Sequence, residues 1–163
     1  MKVGIIGAGA MGAGIAQCFA IHPNYTVLLC DIKTEFAQRG KDNISKGLAR
    51  QVSKEKITQQ QMDATLDRIS VGLSDDTADC DLIIEAALER MDVKKELFAK
   101  LDGLCKPETI CATNTSSLSV TELSNGLGRE VIGMHFFNPA PVMKLVEVVC
   151  GLNASQQLID KIS

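Results

Sequence analysis

Apolar positions change period along this chain, and each change marks an element. A first run, Val3, Ile5 and Ile6, predicts a strand. It leads directly into Gly7-Ala8-Gly9-Ala10-Met11-Gly12, after which Met11, Ile15, Cys18 and Phe19 recur at helical spacing. A second run, Val27 to Cys30, predicts another strand and ends on Asp31. Over residues 34–52, Phe36, Ala37, Ile44, Leu48 and Val52 follow a loose helical period that Gly40 and Gly47 weaken as an unbroken helix. Thr58 and Gln61 then have the spacing of a capping box, opening a helix striped by Met62, Leu66 and Ile69. This pair of helices exceeds what a minimal crossover needs, so it is expected to project from the sheet.

Residues 69–72, ISVG, predict a short strand, and residues 82–86, LIIEA, a doubly buried one of the kind found in parallel sheets. Val93, Leu97, Phe98, Leu101 and Leu104 stripe a helix between residues 92 and 104, which stops near Pro107. Strand TICATN follows, then a capping box at Ser119 and Glu122 that opens a short helix ending near Asn125-Gly126. The alternation indicates an α/β fold, a doubly wound, Rossmann-type and mostly parallel sheet that places ligands beyond the carboxyl ends of its strands. Residues 131–137, VIGMHFF, and 145–150, LVEVVC, stand too close for a crossover helix and predict an antiparallel pair near the C-terminus. Residues 155–163 begin a helix that stops in mid-pattern, as expected of a chain cut from something longer.

The glycine turn between strand and helix suits a dinucleotide. Gly7 permits the tight turn, Gly9 removes a side chain that would block a pyrophosphate, and Gly12 lets the helix lie close on the strand. The free N–H groups of the helix start, around Ala10 and Met11, face the phosphates. Asp31 stands nineteen residues after Gly12, placed to accept hydrogen bonds from a ribose diol. Its charge repels a 2′-phosphate, which favours NAD over NADP, with Lys33 acting slightly against that preference.

Composition narrows the classes. With 163 residues and 45% hydrophobic content, one domain with a real core is expected. A net charge of −3 supplies no basic field for nucleic acid. The first strand starts at residue 2 and no apolar run approaches the roughly 20 residues of a membrane span, so a cytoplasmic protein without membrane contact is expected. The six cysteines lack any CxxC spacing and mostly sit in apolar runs, reading as buried hydrophobes; neither disulfides nor a metal site is expected.

Of the two histidines, His22 beside Pro23 reads as a surface residue. His135 lies near a strand end, and a hairpin centred near Pro141 pairs it with Glu147. Cross-strand Cβ atoms lie about 5 Å apart, within reach of an imidazole–carboxylate hydrogen bond that fixes the ring tautomer. Beside a nicotinamide such a pair is an acid–base device for alcohol oxidation; the same spacing equally fits a structural ion pair at a sheet edge. Asn114-Thr115-Ser116-Ser117 follows a strand end, and its polar groups suit either ligand contact or capping of the helix at Ser119. Glu89 and Lys94 by themselves read as a surface salt bridge. Lys46, Arg50, Lys54 and Lys56 read as a solvated face or as contacts to a phosphorylated ligand.

Four blocks, GAGAMGAGIA, IIEAALERMDVKKELFAKLD, ATNTSSLSVTEL and GMHFFNPAPVMKLVEVV, together resemble the 3-hydroxyacyl-CoA dehydrogenase family across the whole chain, and most closely its 3-hydroxybutyryl-CoA members. The resemblance implies hydride transfer between (S)-3-hydroxyacyl-CoA and NAD, giving 3-oxoacyl-CoA and NADH reversibly. It implies that His135 is the general base, that Glu147 orients it, and that Ser116 hydrogen-bonds the reacting oxygen. Gly7, Gly9, Ala10, Met11 and Gly12 are implied at the phosphates, Asp31 at the adenosine ribose, and Glu89, Lys94 and Asn114 toward the nicotinamide half. Family members continue into a helical domain that supplies dimer contacts and one wall of the acyl-CoA site; residues 1–163 match only the NAD-binding domain. A CoA-touching serine of some relatives aligns with Gly47, while Lys54 matches the nearby lysine. The competing readings are an NAD-dependent dehydrogenase of a hydroxy acid without CoA, such as a sugar acid, and a non-catalytic nucleotide-binding module.

Overall fold

A computed structural model describes residues 1–162. In chain order the elements are β1 (Lys2–Ile6), α1 (Ala10–Ala20), β2 (Thr26–Cys30), α2 (Thr34–Ser53), α3 (Gln59–Asp67) and β3 (Ile69–Gly72). A single 3-10 turn (Ser74–Thr77) follows, then β4 (Leu82–Glu85), α4 (Met91–Leu104), β5 (Ile110–Thr113), α5 (Val120–Ser124), β6 (Val131–Phe136), β7 (Val146–Val149) and α6 (Gln156–Ile162). The seven strands form one sheet in the order β3-β2-β1-β4-β5-β6-β7, and every neighbouring pair is parallel except β6 and β7.

Both faces of the sheet are covered, which is why its central strands read as continuous apolar runs. Successive side chains alternate between the two layers. Val3, Ile5, Val27, Leu29, Leu82, Ile84, Ala112 and Ile132 pack with Ile15 and Ala16 of α1 and with Ala37, Ile44 and Leu48 of α2. Ile6, Leu28, Cys30, Ile83, Cys111 and Val131 pack with Phe98 and Leu101 of α4 and with Val120 and Leu123 of α5. The doubly wound expectation is therefore met.

Two local expectations need correction. Helix α2 runs unbroken through Gly40 and Gly47, and it lies on α1, β2 and β3 instead of projecting from the sheet. Gly40 is the reason: a Cβ there would stand 2.8 Å from the Ala8 carbonyl oxygen, so its hydrogen lets α2 press against the first loop. The second correction concerns caps. Thr58 and Gln61 make the full reciprocal box, whereas Ser119 caps only one way, accepting from the Glu122 N–H at 3.2 Å. The Glu122 carboxylate instead takes Lys95 Nζ at 2.7 Å.

Asp102, near the end of α4, fastens the turn before β6. It accepts from the Gly128 N–H at 2.8 Å and from Arg129 Nε at 3.0 Å. The Gly128 amide and the Arg129 guanidinium outweigh burial and hold the Asp102 carboxyl below its ordinary value. All six cysteines are free; Cys30, Cys80, Cys105 and Cys111 are buried as expected, but Cys150 at the end of β7 is exposed. Burial pushes the Cys30 thiol up to about 12 and the Cys111 thiol up to about 11. Among the described residues no helix is long and apolar enough to cross a membrane, and no cluster of metal-ligating side chains occurs.

Candidate active site

Strand order reverses between β1 and β4: β1 feeds α1 on one face and β4 feeds α4 on the other, which opens a crevice at their carboxyl ends. The glycine loop lies at its floor. The first intrahelical bond of α1 runs from the Ala13 N–H to the Gly9 carbonyl at 2.9 Å, so the N–H groups of Ala10, Met11 and Gly12 precede it and have no partner within the helix.

The three glycines differ in what demands them. Gly7 has a φ of +103°, and a Cβ there would lie 2.5 Å from the Ala86 carbonyl oxygen. A Cβ on Gly12 would lie 1.7 Å from the Gly7 carbonyl oxygen. Both are required by the fold itself. Gly9 has an ordinary φ of −68°, and a Cβ on it would meet nothing within 4 Å. Nothing in the protein needs a glycine there, and the open space beside the helix start is where a pyrophosphate fits. Asp31 stands half-buried at the end of β2, its oxygens accepting from the Ala8 N–H at 2.8 Å and the Ile32 N–H at 2.7 Å. It therefore also braces the glycine loop, and each oxygen keeps a lone pair for a ribose hydroxyl.

Across the switch point, a cleft of about 360 Å³ is lined by Met11, Ala86, Glu89, Lys94, Asn114, Ser116 and His135, with Phe137 and Asn138 at its rim. Three loops thus converge on it, those following β4, β5 and β6. The hairpin register pairs His135 with Glu147, and Nδ1 lies 2.9 Å from Glu147 Oε2. An ionised carboxylate only accepts, so Nδ1 carries a proton, and in the neutral ring Nε2 keeps its lone pair. The pair is partly open: the His135 side chain is 21% exposed and that of Glu147 51%.

Asn114 Oδ1 accepts from the Phe136 N–H at 2.8 Å, tying the end of β5 to β6 and leaving the amide NH₂ as its donor. Thr115 Oγ1 donates to Glu89 Oε1, and Ser117 Oγ reaches the same oxygen at 3.3 Å. Ser116 is exposed in the cleft, with no hydrogen bond to its hydroxyl among the described residues. The side-chain cap of helix α5 comes from Ser119, so the 114–117 segment does not cap it.

Lys94 corrects a surface reading. Its side chain is 1% exposed, and Nζ lies 2.5 Å from Glu85 Oε1 and 3.5 Å from Glu89 Oε2. Glu85, fully buried, is the residue the sequence reading missed. Its carboxylate also accepts from the Ala87 N–H and from Thr113 Oγ1, both at 2.7 Å. The signal was available: an acid inside the otherwise apolar run LIIEA must find a cation, and Lys94 follows nine residues later. Burial works against the Glu89 charge, but the Thr115 hydroxyl, the Lys94 ammonium and the Ser117 hydroxyl outweigh it and keep its carboxyl below the ordinary value. Lys54 stands exposed at the C-cap of α2 and is not among the cleft residues; His22 is exposed beside Tyr25.

The family model that matches this chain is that of the 3-hydroxyacyl-CoA dehydrogenase NAD binding domain, over residues 2–163. This chain belongs to that family. A 3-hydroxyadipyl-CoA dehydrogenase of Escherichia coli is 45% identical over 98% of this chain and 34% of its own length. A probable 3-hydroxybutyryl-CoA dehydrogenase of Deinococcus radiodurans is 45% identical over 96% of this chain and 57% of its own length. The crystal structure of (S)-3-hydroxybutyryl-CoA dehydrogenase from Ralstonia eutropha matches with a TM-score of 0.93 at 40% identity, covering 99% of this chain and 58% of that one. The chain therefore spans between about a third and three fifths of the length of these relatives. Membership of an NAD-binding family indicates NAD, and the open cradle at Gly9, the unpaired helix-start amides and Asp31 fit that group.

Proposed function

We propose that this chain is the NAD-binding part of an (S)-3-hydroxyacyl-CoA dehydrogenase, interconverting a short-chain 3-hydroxyacyl-CoA, 3-hydroxybutyryl-CoA first, with its 3-oxoacyl-CoA. The observation that supports this most is the His135–Glu147 hydrogen bond standing in the same cleft as the unpartnered Ser116 hydroxyl, at the switch point of an NAD-binding sheet. Bound NAD supplies the hydride acceptor. His135 takes the substrate's 3-hydroxyl proton on Nε2, and Glu147 steadies the imidazolium through Nδ1. Ser116 donates to the reacting oxygen. Asn114, Glu89 and Lys94 form the wall on the nicotinamide side, Gly7 to Gly12 hold the phosphates, and Asp31 selects NAD over NADP by repelling a 2′-phosphate.

The remaining length of the relatives is where we place a helical domain that closes the acyl-CoA site and makes a homodimer. Lys54, exposed at the end of α2, is offered to the CoA phosphates from the near side. Four buried free thiols suit a reducing compartment such as the cytoplasm. Absorbance at the NADH band, with acetoacetyl-CoA and free acetoacetate as alternative substrates for the full gene product, tests the reading. The proposal predicts oxidation with the thioester and at most a trace with the free acid. Equal rates with both would favour a dehydrogenase of hydroxy acids without CoA, and no oxidation with either would overturn the proposal.

A further inference from the structure

The wall of the cleft formed by the β4 and β5 loops contains an unbalanced charge. Two carboxylates, Glu85 and Glu89, share the single ammonium of Lys94. Glu85 lies closest at 2.5 Å and is sealed from solvent, so it takes most of that charge. Glu89, 43% exposed and on the cleft surface, is left with an ammonium 3.5 Å away that is already engaged. Arg90 adds nothing, because it closes on Asp92 at 2.5 Å. On the other side stand His135 and Glu147, which together sum to −1 with neutral imidazole and to zero with imidazolium. Glu89 on the cleft surface, Glu85 beneath it and Glu147 behind His135 thus set three carboxylates against Lys94 and His135.

Such a site meets the two redox forms of the cofactor differently. The nicotinamide ring is a cation when oxidised and neutral when reduced, so a fixed negative wall stabilises one form only. We propose that Glu89 sets the redox preference of the site, raising its affinity for the oxidised cofactor relative to the reduced one. The inference rests on the reading of this cleft as the nicotinamide site. A purely structural role is the competing explanation, since Glu89 also receives the Thr115 and Ser117 hydroxyls and so anchors the 114–117 segment.

Two substitutions separate these. Glu89→Gln removes the charge while its amide oxygen still accepts from Thr115. Thr115→Val keeps the charge and removes the hydroxyl. Dissociation constants of NAD and NADH for this chain, by calorimetry and by NADH fluorescence, give the ratio of the two affinities. The expected result is that Glu89→Gln weakens NAD relative to NADH by roughly three- to tenfold, the scale of one unit charge acting across a partly screened site. Thr115→Val should move both constants together and leave the ratio as in the parent. If Glu89→Gln moves both constants by the same factor, or shifts the ratio the other way, the inference is overturned. If the unsubstituted chain binds neither form, the nicotinamide reading of the cleft fails and the inference falls with it.

Discussion

At the scale of single residues, two carboxylates stand in different places, Glu147 against His135 and Glu85 beneath the cleft. Glu147 meets His135 Nδ1 with a half-exposed carboxylate, and in the reaction we propose it steadies the charge that forms during proton transfer. Glu147→Gln is expected to lower kcat of the full gene product roughly 10- to 100-fold, the equivalent of the ~1.5–3 kcal/mol that a charge-assisted hydrogen bond contributes. KM for NADH should barely move, which steady-state kinetics checks. Glu85 never reaches the cleft surface. It holds Lys94, Ala87 and Thr113 in place from below, so the loops after β4 and β5 meet the cleft from one rigid support.

Among the elements, the turn from β1 into α1 shows how far a motif can be read. Gly7, Gly9 and Gly12 carry three different tasks in the sequence reading, and the fold itself demands only the first and last. That difference yields paired expectations. Gly12→Ala should destabilise the chain by about 3 kcal/mol or more, because its Cβ has no room against the Gly7 carbonyl. Gly9→Ala should stay within about 0.5 kcal/mol of the parent in urea unfolding and yet lose most NADH binding. Unimpaired NADH binding by Gly9→Ala would remove the pyrophosphate from that space. The strands and their alternation with helices, the β6–β7 hairpin and the pairing of His135 with Glu147 were legible because each follows from local pattern: apolar runs, connection length, a two-residue alternation. The closeness of α2 to the sheet was not, because it depends on Ala8 meeting Gly40 across thirty-two residues of chain. Lys94 is different: its own helical position says nothing of burial, and the signal lay in Glu85, an acid inside an apolar run that needs a cation.

Over the whole molecule, the same features decide stability and function. Asp102 ties α4 to the turn before β6, the strand that bears His135. Its carboxyl lies below its ordinary 3.8 in the folded chain, so the stabilisation it gives is complete above that value and is lost as pH falls through the folded one. Urea midpoints should therefore drop as pH falls through and below 3.8, and Asp102→Asn should flatten part of that fall; a parent midpoint indifferent to that acidification would contradict it. The cleft itself is a meeting of strand ends: the glycine loop follows β1, the loops after β4 and β5 line one wall, and β6 with β7 brings His135 against Glu147. Whether this pair moves the substrate proton is read from His135→Gln in the full gene product. With acetoacetyl-CoA and NADH, turnover should fall by roughly 10²–10⁴ while NADH affinity stays near that of the parent. Turnover unchanged by the substitution would contradict the account.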